Sequence, residues 1–221
     1  MAAGDAFCGT VATGINRARP PASLPCVHSL AGLDGPRLPP SLQRLAPRML
    51  TLAPGERLFA EGEAQEMLYL VRHGTLKSRR HASDGEELVL DFHFAGDLIG
   101  RSLLSGRGHR SEAVALCTAE LCGFPLPDLQ RAMAECWELQ SGVLQGIGRA
   151  IAHDHLHVRL LGRPRAQERL GGFLLELHQR QLDRGLPADR MLLPMGREEI
   201  ASYLGLVIET VSRAFTRLQE E

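Results

Sequence analysis

The chain reads as an α+β protein: a small antiparallel β-barrel or sandwich, then a long helix, then a helix-turn-helix near the C-terminus. Three observations predict this order. Between Thr51 and Pro125 short apolar runs alternate with the glycines Gly55, Gly62, Gly74, Gly85 and Gly96, roughly ten residues apart. From Leu126 to Leu161 the apolar residues recur in steps of three and four, the period of a helix. From Arg197 to Leu218 two short amphipathic stretches flank Gly205.

In chain order, residues 1–40 are rich in Ala, Gly and Pro without a sustained period and read as a mostly irregular arm, with a short helix following at Ser41 to Pro47. Residues 41–125 form the barrel domain. Arg57-Leu58-Phe59, Met67 to Val71, Thr75-Leu76-Lys77 and Leu88 to Phe92 have strand character, and Asp84-Gly85 reads as a hairpin tip. Residues 126–162 form a dimerisation helix. Leu144, Ile147, Ile151, Asp154, Val158 and Leu161 follow a coiled-coil alternation with one charge in the seam. The same helix could instead lie on its own barrel, and Leu156 and Leu160 beside the seam suit that packing. Gly162 and Pro164 end the helix and mark a hinge. Within residues 163–221 an amphipathic helix from Ala166 to Leu182, carrying Leu170, Phe173, Leu174 and Leu177, precedes an extended piece from Arg190 to Pro194.

Bulk properties exclude more than they identify. At 221 residues, 44% hydrophobic and with a net charge of −1, the chain has room for one or two cores but no electrostatic footprint of a nucleic-acid binder. Even the stretch from Arg165 to Glu221 carries eight Arg against nine Asp and Glu, so any argument for DNA rests on a motif. No run of 18 apolar residues predicts a membrane span, and the N-terminus lacks the basic-then-apolar order of an export signal. The expected compartment is the cytoplasm. Five irregularly spaced cysteines, Cys8, Cys26, Cys117, Cys122 and Cys136, predict reduced thiols rather than a disulfide framework. No nucleophile–base pair or closed metal-ligand set stands out, so an enzyme is not expected.

The motif is the segment from Arg197 to Leu218. Ala201 must be small where the second helix crosses, Gly205 suits a turn that needs positive φ, and Ile200, Leu204, Val211 and Leu218 supply an inter-helix core. Glu209, Ser212 and Arg213 share one outward face of the second helix at spacings of three and four. In a major groove an Arg can take the O6/N7 edge of guanine, a Glu can accept from cytosine N4, and a Ser can reach a base or phosphate. The competing reading is an ordinary helical hairpin with a charged face.

The whole pattern resembles the Crp/Fnr regulators, from about Cys26 to the last residue. The resemblance rests on Gly62 with Leu68-Tyr69, on Gly74-Thr75-Leu76-Lys77, and on Phe94-Ala95-Gly96-Asp97-Leu98-Ile99-Gly100. It rests further on Tyr203-Leu204-Gly205-Leu206 with Glu209-Thr210-Val211-Ser212-Arg213. It implies a cyclic-nucleotide-binding-type jelly roll, a long dimerisation helix and a winged helix-turn-helix, working as a homodimer on double-stranded DNA. The last motif is similar to the oxygen-responsive Fnr branch, which implies that Glu209, Ser212 and Arg213 read a TTGAT half-site. It also implies contact with RNA polymerase through loops such as Asp84-Gly85-Glu86. Asp154 fits a branch whose monomer–dimer balance is tuned by like charges in the seam, or it simply points to water.

The sensor departs from the family's patterns. A cyclic nucleotide requires a Glu and an Arg where this chain has Arg101 and Ser111, with Arg110 one residue off, so a nucleotide effector is not expected. The Fnr branch implies a [4Fe–4S] cluster on four cysteines. Cys26 and Cys122 match two of those positions, but the other two fall on Ser29 and Gly35, and no pattern recruits Cys8 or His28. Cys117 reads as a barrel residue and Cys136 as core. His153 and His157 share a helix face that could bind a metal or haem or titrate near neutrality, with His155 between them and His93 in a strand; the plainer reading is exposed histidines. Val207 stands where a Thr or Ser would cap the recognition helix, and the sequence stops after that helix, where the family's two-stranded wing is expected. The alternative function, from another class, is a ligand- or redox-binding module whose helix-turn-helix has no DNA activity of its own.

Overall fold

The computed structural model describes residues 24–33, 38–64, 66–82, 85–101, 108–185, 189, 191 and 193–220. Cys8, Gly35, Asp84, Arg190 and most of the expected N-terminal arm lie outside the described residues. Two compact units emerge: residues 1–80 with 91–150, and residues 81–90 with 151–221.

The first unit is built on a jelly-roll sandwich of eight strands, β1 (Arg48–Leu52), β2 (Arg57–Phe59), β3 (Met67–His73), β4 (Leu76–His81), β5 (Glu87–His93), β6 (Leu98–Ile99), β7 (Glu112–Ala115) and β8 (Ala119–Pro125), with the end of β4 and the start of β5, residues 81–90, counted in the second unit. They form two four-stranded sheets, ordered β1-β8-β3-β6 and β2-β7-β4-β5. Strand alternation decides what each side chain meets. On β3, Val71 turns into the sandwich, beside Leu76, Ile99, Ala113 and Leu121. Leu68 and Leu70 turn the other way, toward a layer of helices. On β8, Leu121 faces the sandwich interior, while Cys122 and Phe124 face the helices. Leu121 is fully buried. Leu121→Ala is therefore expected to cost about 2–5 kcal/mol, read as a fall in the thermal or urea midpoint of the full chain.

The helical layer consists of α1 (Leu24–Ala31), α2 (Leu126–Glu135) and the first part of α3 (Trp137–Leu161). Cys26, Val27, Leu30 and Ala31 of α1 join Leu129, Leu139 and Val143 in one core against the sheet. The expected irregular arm is thus corrected at residues 24–31. An eight-residue helix is marginal alone and exists here because one face is buried. The expected helix at Ser41 to Pro47 is instead a series of backbone turns, in which Leu42 N–H donates to Pro39 O and Leu45 N–H to Leu42 O. The single helix expected over 126–161 is broken at Cys136, whose backbone is extended (φ −137°, ψ 107°). Cys136 itself is buried, as its core reading expects.

The second unit contains α4 (Ala166–Asp183), α5 (Arg197–Leu204) and α6 (Ile208–Glu220), with the end of α3. Leu170, Phe173 and Leu177 of α4 are buried at helical spacing, as expected. Among the described residues no helix is long and apolar enough to cross a membrane.

Candidate nucleic-acid interface

The second unit holds the helix-turn-helix on a compact core. Ile200, Ala201, Tyr203, Leu204, Val211 and Ala214 are all buried. Leu218, expected in this core, is a correction: it lies one turn beyond Ala214 and is 37% exposed. Tyr203 takes a larger share than the sequence suggested, with its ring tilted on Phe173 and stacked on His157 (centroids 3.8 Å apart). At the N-terminus of α5, the Glu199 carboxylate accepts from the Gly196 N–H at 2.6 Å, satisfying one of the orphan donors of the first turn. At its C-terminus Gly205 adopts the left-handed conformation (φ 59°, ψ 44°) that turns the chain into α6.

Two further residues fix this turn. Arg169 of α4 donates to the Leu204 and Gly205 carbonyls at 3.0 and 3.3 Å, and to the Arg163 carbonyl at 2.8 Å. A guanidinium at these carbonyls satisfies the acceptors left over at a helix end and complements its dipole. A cation flanked by other arginines in sequence gives no hint of this role, which only the tertiary fold reveals.

On α6 the three predicted reading residues share the face opposite Val211 and Ala214. Glu209 and Arg213 are exposed and Ser212 is half-buried. Arg213 folds back along its helix, donating from Nε to the Glu209 carbonyl at 3.3 Å and from Nη2 to Thr210 Oγ1 at 3.5 Å. Both are long bonds on a solvent face, readily exchanged for a stronger bidentate partner. Glu209 lies in the first turn, where a carboxylate suits the positive helix end. Val207 precedes the helix with its side chain 64% exposed. Its carbonyl accepts from Thr210 and Val211, but its side chain offers no acceptor to the first-turn N–H groups. Val207→Thr or Val207→Ser is therefore expected to stabilise the helix-turn-helix by about 0.5–2 kcal/mol, visible as slower amide exchange through the first turn of α6.

The predicted dimer residues lie along α3. Leu144, Ile151, Val158 and Leu161 are 56, 49, 67 and 38% exposed, at steps of seven, seven and three. Asp154 lies exposed among them. Ile147 instead packs partly against the helical-layer core. Of the two flanking leucines, Leu156 is exposed and Leu160 approaches α4, where a Cβ on Gly172 would overlap it.

The histidines of α3 have structural partners. His153 Nδ1 pairs with the Glu176 carboxylate of α4, and Tyr203 Oη lies 3.4 Å from its Nε2. His157 Nε2 donates to the Tyr203 carbonyl at 2.7 Å. Both rings tie α3 to α4 and α5 instead of lining a vacant ligand face, and His155 is exposed. Among the described residues no group of three or more His, Cys, Asp or Glu is placed to hold a metal ion.

In the sandwich, Arg101 approaches Asp91 at 3.4 Å, and Asp91 also faces His93 Nδ1 at 3.6 Å. His93 Nε2 and Ser78 Oγ are hydrogen-bonded at 2.7 Å, and Ser78, Asp91 and His93 are all buried. A cation held by a carboxylate occupies the place where a ribose-binding Glu would stand, and Ser111, half-buried, offers no positive charge to a phosphate. His109 stacks on Phe59 with centroids 3.5 Å apart, and burial lowers its pKa below the usual imidazole value.

The cysteines correct the expectation of reduced thiols. Cys26 and Cys122 are joined in a disulfide, Cα atoms 6.3 Å apart, while Cys117 and Cys136 take part in no disulfide among the described residues. A [4Fe–4S] cluster does not fit these residues. Its four iron–thiolate bonds need four separated sulfurs around a cubane. Here two sulfurs are bonded to each other inside an apolar core of Leu30, Leu70, Phe124 and Leu139, and Ser29 is exposed and carries no thiol.

Comparison with known proteins gives the same picture at both ends of the chain. Residues 49–136 match the cyclic nucleotide-binding domain and residues 193–221 the crp family of bacterial regulatory proteins. The transcriptional activator protein Anr of Pseudomonas protegens is 34% identical over 200 residues, covering 90% of this chain and 80% of that protein. The fumarate and nitrate reduction regulatory protein of Vibrio cholerae is 34% identical over 179 residues, covering 81% of this chain and 72% of that one. The structure of FixK2 from Bradyrhizobium japonicum superposes with a TM-score of 0.71 at 33% identity, covering 80% of this chain and 86% of that one. With a nucleotide-binding-type jelly roll, a long helix and a helix-turn-helix in this order, the chain belongs to the Crp/Fnr family and is a DNA-binding transcriptional regulator, not an enzyme.

Proposed function

We propose that the protein acts as a homodimer on an inverted TTGAT-type site, activating transcription in response to oxygen or redox state. The observation that carries this reading is the face of α6: Glu209 and Arg213 exposed with Ser212 between them, on a helix whose opposite face is buried at Val211 and Ala214. Such a face offers a bidentate donor suited to a guanine edge and a carboxylate acceptor suited to cytosine N4. The exposed apolar row of α3 supports the dimer, since two copies of one helix bring two reading helices into two-fold symmetry. The redox element is supported by the Fnr and Anr relatives and by the paired sulfurs of Cys26 and Cys122.

The division of labour follows: residues 41–125 sense, 126–162 dimerise and 163–221 bind DNA in the cytoplasm. The loop Asp84-Gly85-Glu86, of which Gly85 and Glu86 are exposed and Asp84 lies outside the described residues, is the surface proposed to meet RNA polymerase. An electrophoretic shift tests the reading. A duplex with two inverted TTGAT half-sites one helical turn apart should be retained at salt concentrations that release a scrambled duplex. No preference between the two at any salt concentration would sink it and favour a sensor module without DNA activity.

A further inference from the structure

Cys122 lies on β8 opposite Met49 of β1, and strand alternation points it into the helical layer. There α1 brings up Cys26, 96 residues away in sequence, and the two form the disulfide. The Met49 thioether sulfur lies 3.7 Å from Cys26 Sγ and 3.6 Å from Cys122 Sγ. Cys26 and Cys122 are 1 and 0% exposed, whereas Met49 is 39% exposed. The unbranched, flexible Met49 side chain thus touches both sulfurs and also reaches solvent.

The other end of α1 meets α3. A Cβ on Gly142 would overlap the Leu30 carbonyl oxygen, so the two backbones touch there and only glycine fits. Leu30, Ala31 and Val143 share a core with Cys26 and Cys122, and Ile147 packs against that same core. Ile147 lies between Leu144 and Ile151, the exposed residues of the candidate dimer seam. A continuous packed route therefore runs from the sulfurs, through α1, to the seam.

We propose that Cys26 and Cys122 form a dithiol–disulfide couple whose oxidised state seats α1 on α3, and whose reduction releases α1 and weakens the dimer. This stands in place of an iron–sulfur cluster, for which the donor set does not suffice. In the oxidising direction one cysteine thiolate attacks a sulfur of a small disulfide of the glutathione type, expelling one thiol and forming a mixed disulfide. The second thiolate then attacks the protein-side sulfur and expels the other thiol. Two electrons pass from the cysteines to the small disulfide, and the two protons leave on the two released thiols. Reduction runs the same exchange backward. The couple rests on the redox-responsive reading above in one respect: beside DNA in a reducing compartment, a disulfide is transient and serves sensing or catalysis.

The full chain, equilibrated in glutathione buffers of graded ratio, then acid-quenched and alkylated, tests this without DNA. Peptide mapping should show the Cys26- and Cys122-bearing peptides linked on the oxidising side and separately alkylated on the reducing side, in one two-electron transition. Amides of α1 should exchange roughly tenfold faster on the reducing side. The dimer dissociation constant should rise about fivefold or more with it. A C26S/C122S double variant should behave like the reduced form at every ratio. Equal α1 exchange in both states would overturn the proposal. So would a disulfide that persists in native protein at the reducing end, or anaerobic loading of stoichiometric iron and sulfide. A failed gel shift with the redox transition intact would count against the DNA reading alone.

Discussion

Arg213→Ala is expected to abolish discrimination between the inverted TTGAT duplex and a scrambled one. A bidentate Arg–guanine contact is worth about 1–3 kcal/mol of discrimination. Two-fold symmetry makes the contact twice, so the dimer should lose roughly 2–6 kcal/mol, on the order of thirtyfold to 10⁴-fold in affinity. Among the described residues Arg213 makes two long bonds, of 3.3 and 3.5 Å, along its own exposed helix, and these are readily exchanged for a base. Its removal leaves the buried side of α6, Val211 and Ala214, untouched, so the thermal midpoint should hardly move. Salt dependence separates the possible roles. If Arg213 reads a base, the slope of log affinity against log salt stays as in the unaltered protein while sequence preference disappears. If it only neutralises a phosphate, affinity falls equally for all sequences and the slope drops by about one per protomer. The second pattern would remove Arg213 from the reading set.

The reach of the sequence followed the range of the interactions. The helix-turn-helix was legible because its determinants are local: Ile200, Ala201 and Leu204 across one turn, Gly205 at the left-handed corner, and Glu209, Ser212 and Arg213 on one helical face. The sandwich was legible as a class from its glycine-punctuated strands, but its pairings, such as β1 with β8, were not. Residues whose role depends on a distant partner were missed or misread. Arg169 holds carbonyls 35 and 36 residues away. His153 and His157, which read as a ligand face or as solvent-exposed, are committed to Glu176 and Tyr203. The Cys26–Cys122 pair joins a short helix hidden in a proline-rich arm to a strand 96 residues on, a closure with no local signal. Leu218 failed for the opposite reason: the helical period continues past Ala214, while the inter-helix core does not.

Ile151→Glu is expected to convert the protein to a monomer at micromolar concentration and to eliminate palindromic binding. Ile151 is half-exposed in the single chain, flanked seven residues away on each side by Leu144 and Val158, which are more exposed still. A row of this kind on one helix suits a second copy of the same helix, and in a two-fold dimer each residue lies near its own copy. The substitution removes the apolar contact, worth about 1.5–3 kcal/mol per fully buried side chain, from both protomers. It also sets two carboxylates near each other beside the two copies of Asp154. Asp154→Ala should act in the opposite direction, because it removes like charges from the seam without disturbing the exposed apolar row. A gain of about 1–2 kcal/mol corresponds to a dimer roughly five- to thirtyfold tighter, measurable by sedimentation across a concentration series. The pair of variants is diagnostic. A dimer insensitive to both would place the interface elsewhere than α3. One weakened by Ile151→Glu but unchanged by Asp154→Ala would keep the seam and show that Asp154 faces water. Only opposite shifts establish the seam as a tuned equilibrium, in which the carboxylate keeps the protomers close to dissociation and a modest change at α1 is enough to alter occupancy of the site.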